Sequence, residues 1–512
     1  MSALLVALAG CTGNIVTPDA GVPGCNGLGR SRCVDSVSLG ARFGCAALGD
    51  QTVWCWGRND ESQLGYESND LCPERMSNGQ TRAVACHMYP LQVPGLAGAT
   101  AVSAGGAHAC AVLTTGELRC WGSNTRGQLG NGSALPSRAP VTVAGLPAVT
   151  SLASGAGHTC AVVEGGQVFC WGANDRGQLG VEAAPDRCGA EGAMTPCARS
   201  PVLVAAVAEA VEVVAGDAHT CARTTWGGVL CWGANTDAQL GAGTAGAMPA
   251  PRPQTVLLGT SFLRGVRAVA AGGNHTCALR DDGAVLCWGR HDRGQLGVAV
   301  PEDFAPCAHA CIATAVPIVG YEGAPTLEEP DAGFEQPIGD ASTPMDAAAP
   351  RDATTPRDAT TPRDAGGPMD AAARRDRATV DDDAPDDAPG AVDLGRDVVL
   401  PPEPTVTAIS AGGAFSCIAL SDRTLRCWGT NRTYELGNGR MNEGGPALTT
   451  VIASPGSAST NPLQGVLRVE SGAATSCALL LDRSVKCWGT NEGGALGVGD
   501  VSERNGPVPM TW

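Results

Sequence analysis

No stretch of this 512-residue chain carries eighteen consecutive apolar residues, so it holds no helix able to span a bilayer. The 3.6-residue spacing of an amphipathic helix is missing as well, which argues against a helical bundle. Positive charge is scarce. Against 34 Lys and Arg stand 51 Asp and Glu, a formal net charge of −17, so the basic footprint that nucleic-acid binding requires is absent. No Gly-x-Ser-x-Gly elbow or paired-carboxylate arrangement stands out, and the glycine strings have no helix after them to cradle a phosphate. Cys307-Ala-His-Ala-Cys311 supplies too few ligands for a tetrahedral metal site and has no second cluster nearby. These absences predict a protein without a cofactor or metal, and not an enzyme.

What the chain has in abundance is glycine, 70 residues, and cysteine, 23. Both recur in order. Cys-Trp-Gly begins at Cys55, Cys120, Cys170, Cys231, Cys287, Cys427 and Cys487, and ten residues before each stands Cys45, Cys110, Cys160, Cys221, Cys277, Cys417 or Cys477. A Leu-Gly step follows each unit, beginning at Leu64, Leu129, Leu179, Leu240, Leu296, Leu436 and Leu496. Units lie 50 to 65 residues apart, except for a gap of 140 between Cys287 and Cys427.

Each unit reads as four short strands. In the third, Val149–Leu152, Thr159–Val163, Val168–Trp171 and Pro201–Val204 are β-rich runs separated by glycine turns. A three-residue turn at Glu164–Gly166 sets Cys160 directly opposite Cys170, where Cα atoms lie about 4.5–5.5 Å apart, within disulfide range. Seven such pairs predict seven hairpin disulfides and an oxidising compartment. Four-stranded units that cannot bury their own faces must stack, and a radial ring of seven is a β-propeller. The expected fold is therefore all-β, a single seven-bladed propeller.

The pattern GxxHTCAV…GxVxCWGxNxxGQLG resembles the regulator of chromosome condensation repeat family, over residues 34–321 and 405–512. The resemblance implies a seven-bladed propeller, and the added cysteine pair is similar to secreted relatives rather than the nuclear archetype. That archetype is a guanine-nucleotide exchange factor that also binds chromatin, roles that the acidic balance and the disulfides speak against here. Another relative, a secreted inhibitor of β-lactamase, implies protein binding through one end of the ring.

Pairing arithmetic extends the cysteine reading. Local couples Cys25–Cys33, Cys72–Cys86, Cys188–Cys197 and Cys307–Cys311 account for eight more residues and leave Cys11 alone. Leu8-Ala9-Gly10-Cys11 resembles the lipobox of bacterial lipoproteins, in which the cysteine becomes the lipidated N-terminus, and Thr12 resembles outer-membrane sorting. The departure lies upstream, where Met1-Ser2-Ala3 lacks the basic region of a signal peptide. Either the true start lies earlier or the tetrapeptide is accidental. The expected organisation is a truncated signal segment (1–11), a tether (12–33), blades 1–5 (34–321), a linker (322–404) and blades 6–7 (405–512). The linker holds 13 prolines and 20 acidic against seven basic residues, −13 of the chain's −17, a composition expected to stay disordered. It interrupts the chain at a regular joint, so one closed ring is expected, completed where Gly506–Trp512 meets the first strands.

His108, His158, His219 and His275 occupy one position in successive units, held elsewhere by Phe43, Phe415 and Thr475. Residues spread round a ring cannot converge on one substrate, so a structural role is expected, bonded to blade backbone. Asn124, Gln128, Asn174 and Gln178 are assigned to the glycine turns. The cysteine-stapled insertions Tyr66–Tyr89, Val181–Ser200 and Val298–Ala315 all follow Leu-Gly and should crown one end of the ring, with 322–404 leaving from the other. The function expected is a monomeric, envelope-anchored or secreted propeller that binds a protein ligand through those loops, contacts membrane only through its lipid and takes no nucleic acid. A structural surface protein without a ligand is the alternative.

Overall fold

A computed structural model of the chain describes residues 33–75, 79–190, 192–246, 248–299, 307, 309–319, 404–453 and 461–512. Cys11 and Cys25 fall outside these residues, as does nearly all of the 322–404 segment. Seven sheets follow one another along the chain, antiparallel except where Leu257–Leu258 adds parallel to the outer strand Cys311–Pro317 of the fifth. In the third, Val149–Ser154, His158–Val163, Val168–Ala173 and Thr195–Leu203 pair in that order. The first strands of the other blades are Val34–Leu39, Ala99–Ala104, Ala210–Ala215, Val266–Ala271, Val406–Ala411 and Val466–Ser471. Their ends, with the glycine turns after them, line one cavity on the ring axis, so these strands are the innermost. Among the described residues the single helical element is a 3-10 turn at Glu492–Gly494.

The sequence explains why each blade is a sheet. Inner strands such as Val149–Ser154 combine β-branched and small side chains, and His158–Val163 is buried along its whole length. Burial on both faces follows because each blade is sandwiched between two others. The seven tryptophans of the Cys-Trp-Gly steps, Trp56 to Trp488, are the largest fully buried side chains and fill the seven joints. Each such ring contributes on the order of 2–3 kcal/mol through removal from water.

Blades 5 and 6 pack directly despite the 140-residue spacing. Ala268, Leu279 and Leu296 share one apolar cluster with Ile409, Ile418 and Trp428. The ring is therefore single, with the insertion between its fifth and sixth blades. Arg504–Pro509 is the outer strand of blade 7's own sheet, so no strand is exchanged between first and last blades. The residues beyond it reach blade 1: Met510 joins a cluster with Val34, Ala46 and Trp56, and Trp512 meets Trp54 edge-on at 6.2 Å.

The four strands of each blade pair antiparallel, as in the third, which fixes the ends of the ring. Glycine turns after inner strands and loops after Leu-Gly share one end, here the loop end. Hairpin turns and inter-blade connectors share the other.

The seven hairpin pairs stand in register, Cys160 opposite Cys170 and its six equivalents likewise. Their Cα atoms are 4.0–4.1 Å apart, closer than an average opposed pair, and their sulfurs are bonded. Cys72–Cys86, Cys188–Cys197 and Cys307–Cys311 are bonded too. Non-reducing peptide mapping should recover Cys45–Cys55, Cys160–Cys170 and the other five as intra-hairpin links. Free thiols at these positions in carefully isolated protein would contradict the arrangement.

Candidate functional site

The histidines come first, because four buried imidazoles around an axis look like a site. Each is fully buried at the start of the second strand of its blade. The expected bond to backbone is not what the structure shows. His108 Nε2 lies 2.9 Å from Thr159 Oγ1, His158 Nε2 3.0 Å from Thr220 Oγ1, His219 Nε2 3.0 Å from Thr276 Oγ1, and His275 Nε2 2.8 Å from Ser416 Oγ. Each partner belongs to the next blade. The hydroxyl gives its own proton to a glutamine carbonyl of the histidine's blade, as Thr159 does to Gln128 O at 2.9 Å. It must therefore accept from imidazole, which fixes the proton on Nε2. The same carbonyl takes a second bond from Trp171 Nε1, also 2.9 Å. Sequence spacing could not find this partner, because it lies 51 to 141 residues away in another blade.

The other imidazole nitrogen, Nδ1, has no hydrogen-bond partner in any of the four. A second proton there would be a buried, unpaired cation. Desolvation accordingly lowers His108 to about 4 and the other three to about 3. The ring also packs under the glycine turn. A Cβ on Gly155 would come 2.2 Å from His158 Cε1 and 2.6 Å from Gly216 O, so no larger residue fits there.

Asn124, Gln128, Asn174 and Gln178 shape the Leu-Gly loops. Asn124 Oδ1 accepts from Leu129 N and Gln128 Oε1 from Arg126 N, with Asn174 and Gln178 repeating both bonds. These side chains place the glutamine carbonyl that tryptophan and hydroxyl share. Their contribution is to the joint, and none converges on a common point.

The axial cavity measures about 160 Å³ and is walled by Gly, Ala, Ser and one Leu, with Asp217 its sole titratable side chain. A single carboxylate offers no acid–base pair. Among the described residues no cluster of His, Cys, Asp or Glu could hold a metal ion.

The loop end offers more. The stapled insertions of blades 1 and 3 are hairpins continuous with the outer strand, Leu71–Arg75 on Thr81–Gln92 and Asp186–Cys188 on Thr195–Leu203. The apolar run Ala83-Val-Ala-Cys86, with Cys72 as its couple, was the available sequence signal for the first. Each leans on the blade before it: Gly499 N donates to Met88 O and Gly132 N to Arg199 O. In blade 5, His309 Nδ1 lies 2.9 Å from Asp237 Oδ1 of blade 4. Blade 4, between two stapled neighbours, carries a short unstapled loop. Its Met248 is 81% exposed, beside a cleft of about 380 Å³ lined by Glu182, Asn235, Thr244, Pro251 and Arg252.

Comparison with known families fits this architecture. Residues 9–329 match the RCC1-like domain, and residues 406–434 match the Regulator of chromosome condensation (RCC1) repeat. The chain belongs to the RCC1-like domain family. Human HERC2, an E3 ubiquitin-protein ligase, is 29% identical over 264 residues, 51% of this chain but 5% of HERC2. The mitochondrial RCC1 domain-containing protein RUG3 of Arabidopsis thaliana is 30% identical over 283 residues, 54% of this chain and 46% of its own. The chain thus spans less than half the length of these curated relatives. Human WBSCR16 superposes with a TM-score of 0.59 at 17% identity, covering 90% of this chain and 94% of its own. Prp20p of Saccharomyces cerevisiae does so at 0.56 and 16%, covering 93% and 92%. At such identities the likeness concerns the fold alone.

The histidine–hydroxyl bond between blades, the latch of this RCC1-like ring, predicts an acid response. An unfolded histidine protonates below about 6.5, whereas the buried one resists until about 3–4, so the unfolded state binds more protons in between. Stability is full above pH 6.5 and falls as pH drops through that window. His158→Phe should flatten the slope by one proton between pH 6.5 and 5. Paired with Thr220→Ala, which reproduces the natural Phe43 and Ala109 combination, it should cost no more than about 1 kcal/mol. His158→Ala, leaving a void under Gly155, should cost roughly 2–5 kcal/mol in denaturant titrations.

Proposed function

We propose that this propeller is a protein-binding scaffold held at a bacterial cell envelope, and that its ligand is a protein gripped at the loop end near blades 3 to 5. The observation that carries the reading is the exposed Met248 loop of blade 4 and its cleft, which Glu182 of the blade 3 insertion closes on one side. A rigid frame with pre-ordered loops loses little entropy on binding. Related propellers support a protein as the ligand class: Prp20p has been described with binding properties to Gsp1p and histones, and in complex with Kap60. The acidic charge of this chain disfavours chromatin as its own partner.

Anchoring rests on Cys11, the one cysteine that the sequence pairing leaves without a local couple, and on the lipobox-like residues before it. Mass spectrometry of the N-terminal peptide from the membrane fraction should find a lipid on Cys11. A mature protein beginning elsewhere and extracted without detergent removes the anchor from the proposal.

The binding claim has its own test. Envelope proteins retained by the immobilised full chain should still be retained after deletion of 322–404, and lost in a Met248→Asp, Arg252→Asp variant that keeps its far-ultraviolet spectrum. Equal retention by all forms favours the alternative, a ring that coats or spaces a surface without a specific ligand.

A further inference from the structure

Six of the seven joints are closed at the axis by a backbone bond between glycine turns. The donor–acceptor pairs are Ala41 to Gly105, Gly106 to Gly155, Ala156 to Asp217, Asp217 to Gly273, Gly273 to Gly412 and Gly413 to Gly472, at 3.1–3.3 Å. The joint between blades 7 and 1 has no such bond among the described residues. It lacks the side-chain latch too. Gly44 stands where the hydroxyl should be, and Thr475, in the histidine's place, turns its hydroxyl to Thr490 O of its own blade at 3.4 Å. This is also the joint that the chain itself does not cross. Trp56 still donates to Ala495 O at 2.9 Å, and an apolar cluster remains.

Across this joint lies the Leu71–Arg75 and Thr81–Gln92 hairpin. Cys72, Val84 and Cys86 are buried together, with Met88 and blade 7's Val501 packed on them. Gly499 N of blade 7 reaches Met88 O at 3.0 Å. Glu74, its side chain 8% exposed, is bound by Arg42 and Arg58 and by Arg82 at 2.5 Å. Arg42 then reaches Glu492 of blade 7 at 3.4 Å. A chain of opposite charges therefore runs from the hairpin, through blade 1, to blade 7.

We infer that this hairpin is the clasp of the ring, and that Cys72–Cys86 makes it reduction-sensitive: cleaving that bond loosens the joint between blades 7 and 1 and no other. In the cleavage, local opening of the hairpin first exposes the buried sulfurs, a thiolate of an external dithiol attacks one of them, and the second thiol resolves the mixed disulfide. Two electrons and two protons end on Cys72 and Cys86 as thiols, and the dithiol leaves as its disulfide. The seven hairpin disulfides link paired strands inside each blade, and none lies in the hairpin that crosses this joint. The Cys188–Cys197 hairpin is the internal control. It sits over the joint between blades 2 and 3, which keeps its axial bond, its His108–Thr159 latch and its Trp171 bond.

The test uses full-length protein in two forms, Cys72→Ser with Cys86→Ser, and Cys188→Ser with Cys197→Ser, followed by hydrogen–deuterium exchange. Expected in the first is a rise of about tenfold or more in exchange at Gly499 and in Val34–Leu39 and Thr475–Leu480, with the other blades unchanged. Expected in the second is no change at the joint between blades 2 and 3. Equal loosening by both variants, or uniform acceleration over all blades, overturns the inference. If the first variant does not fold, the wild-type chain under stepwise reduction decides. Alkylation of Cys72 and Cys86 accompanied by faster exchange at Gly499 supports the clasp, and alkylation without it overturns the clasp.

Discussion

A single backbone carbonyl carries each typical joint of this ring. Gln128 O has two lone pairs, and both are used across the boundary between blades 2 and 3, one by Trp171 Nε1 and one by Thr159 Oγ1. Gln178 O and Gln239 O repeat the arrangement with Trp232 and Thr220, and with Trp288 and Thr276. The two most repeated pieces of sequence, Gln-Leu-Gly and Thr-Cys…Cys-Trp-Gly, are thus halves of one contact, and they come from neighbouring blades. Burying seven indoles requires seven acceptors for their N–H groups, and the acceptors must be held still. The Asn and Gln side chains of the Leu-Gly loops hold them. So does Gly180, whose positive φ of 73° lets the loop pass within van der Waals range of Trp232.

Variation among the seven joints follows the same chemistry. Where the second strand begins with histidine, the next blade supplies a hydroxyl: Thr159, Thr220, Thr276 or Ser416. Where blade 1 has Phe43, blade 2 has Ala109, and neither needs a partner. Phenylalanine and histidine are close enough in shape to occupy the same slot under a glycine turn, as Phe43 does under Gly40 and His158 under Gly155. A histidine facing Ala109 would instead leave a buried Nε2–H unpaired, at a cost of about 1–3 kcal/mol.

Much of this was legible in the sequence because the governing distances are short along the chain. A three-residue turn and a ten-residue spacing are enough to put Cys160 opposite Cys170, whatever surrounds the hairpin. The blade count, the strand order and the interruption followed from repetition. The histidine partners did not, since they depend on how two blades approach each other, and His275 finds Ser416 only after the whole insertion has passed. Nor did the fold-back of the stapled hairpins. Their cysteines announced a closed loop, but the neighbour each loop would lean upon is set by packing. The Met248 cleft was equally hidden, because Glu182 of blade 3 and the blade 4 loop are brought together only by packing.

The placement of the insertion can be argued from these energies. Connectors such as that between Leu203 and Ala210 are short, whereas the chain between Pro317 and Val406 is roughly fifteen times longer. At about 0.6 kcal/mol per doubling, closing that loop costs ~2 kcal/mol more than an ordinary connector. The joint it interrupts is fully bonded: Gly273 to Gly412 at 3.1 Å, His275 to Ser416 at 2.8 Å and Trp428 to Gln295 O at 2.9 Å. With each bond contributing on the order of 1 kcal/mol beside the buried cluster, the joint offsets the longer loop. The joint between blades 7 and 1 could not carry such a load. There, among the described residues, two of the three bonds are missing, so an insertion at that point would rest on the clasp, Trp56, the Arg483–Asp35 pair and the apolar cluster around Met510. A ring with one open seam therefore keeps its long segment away from the seam, at a boundary whose side chains close it again.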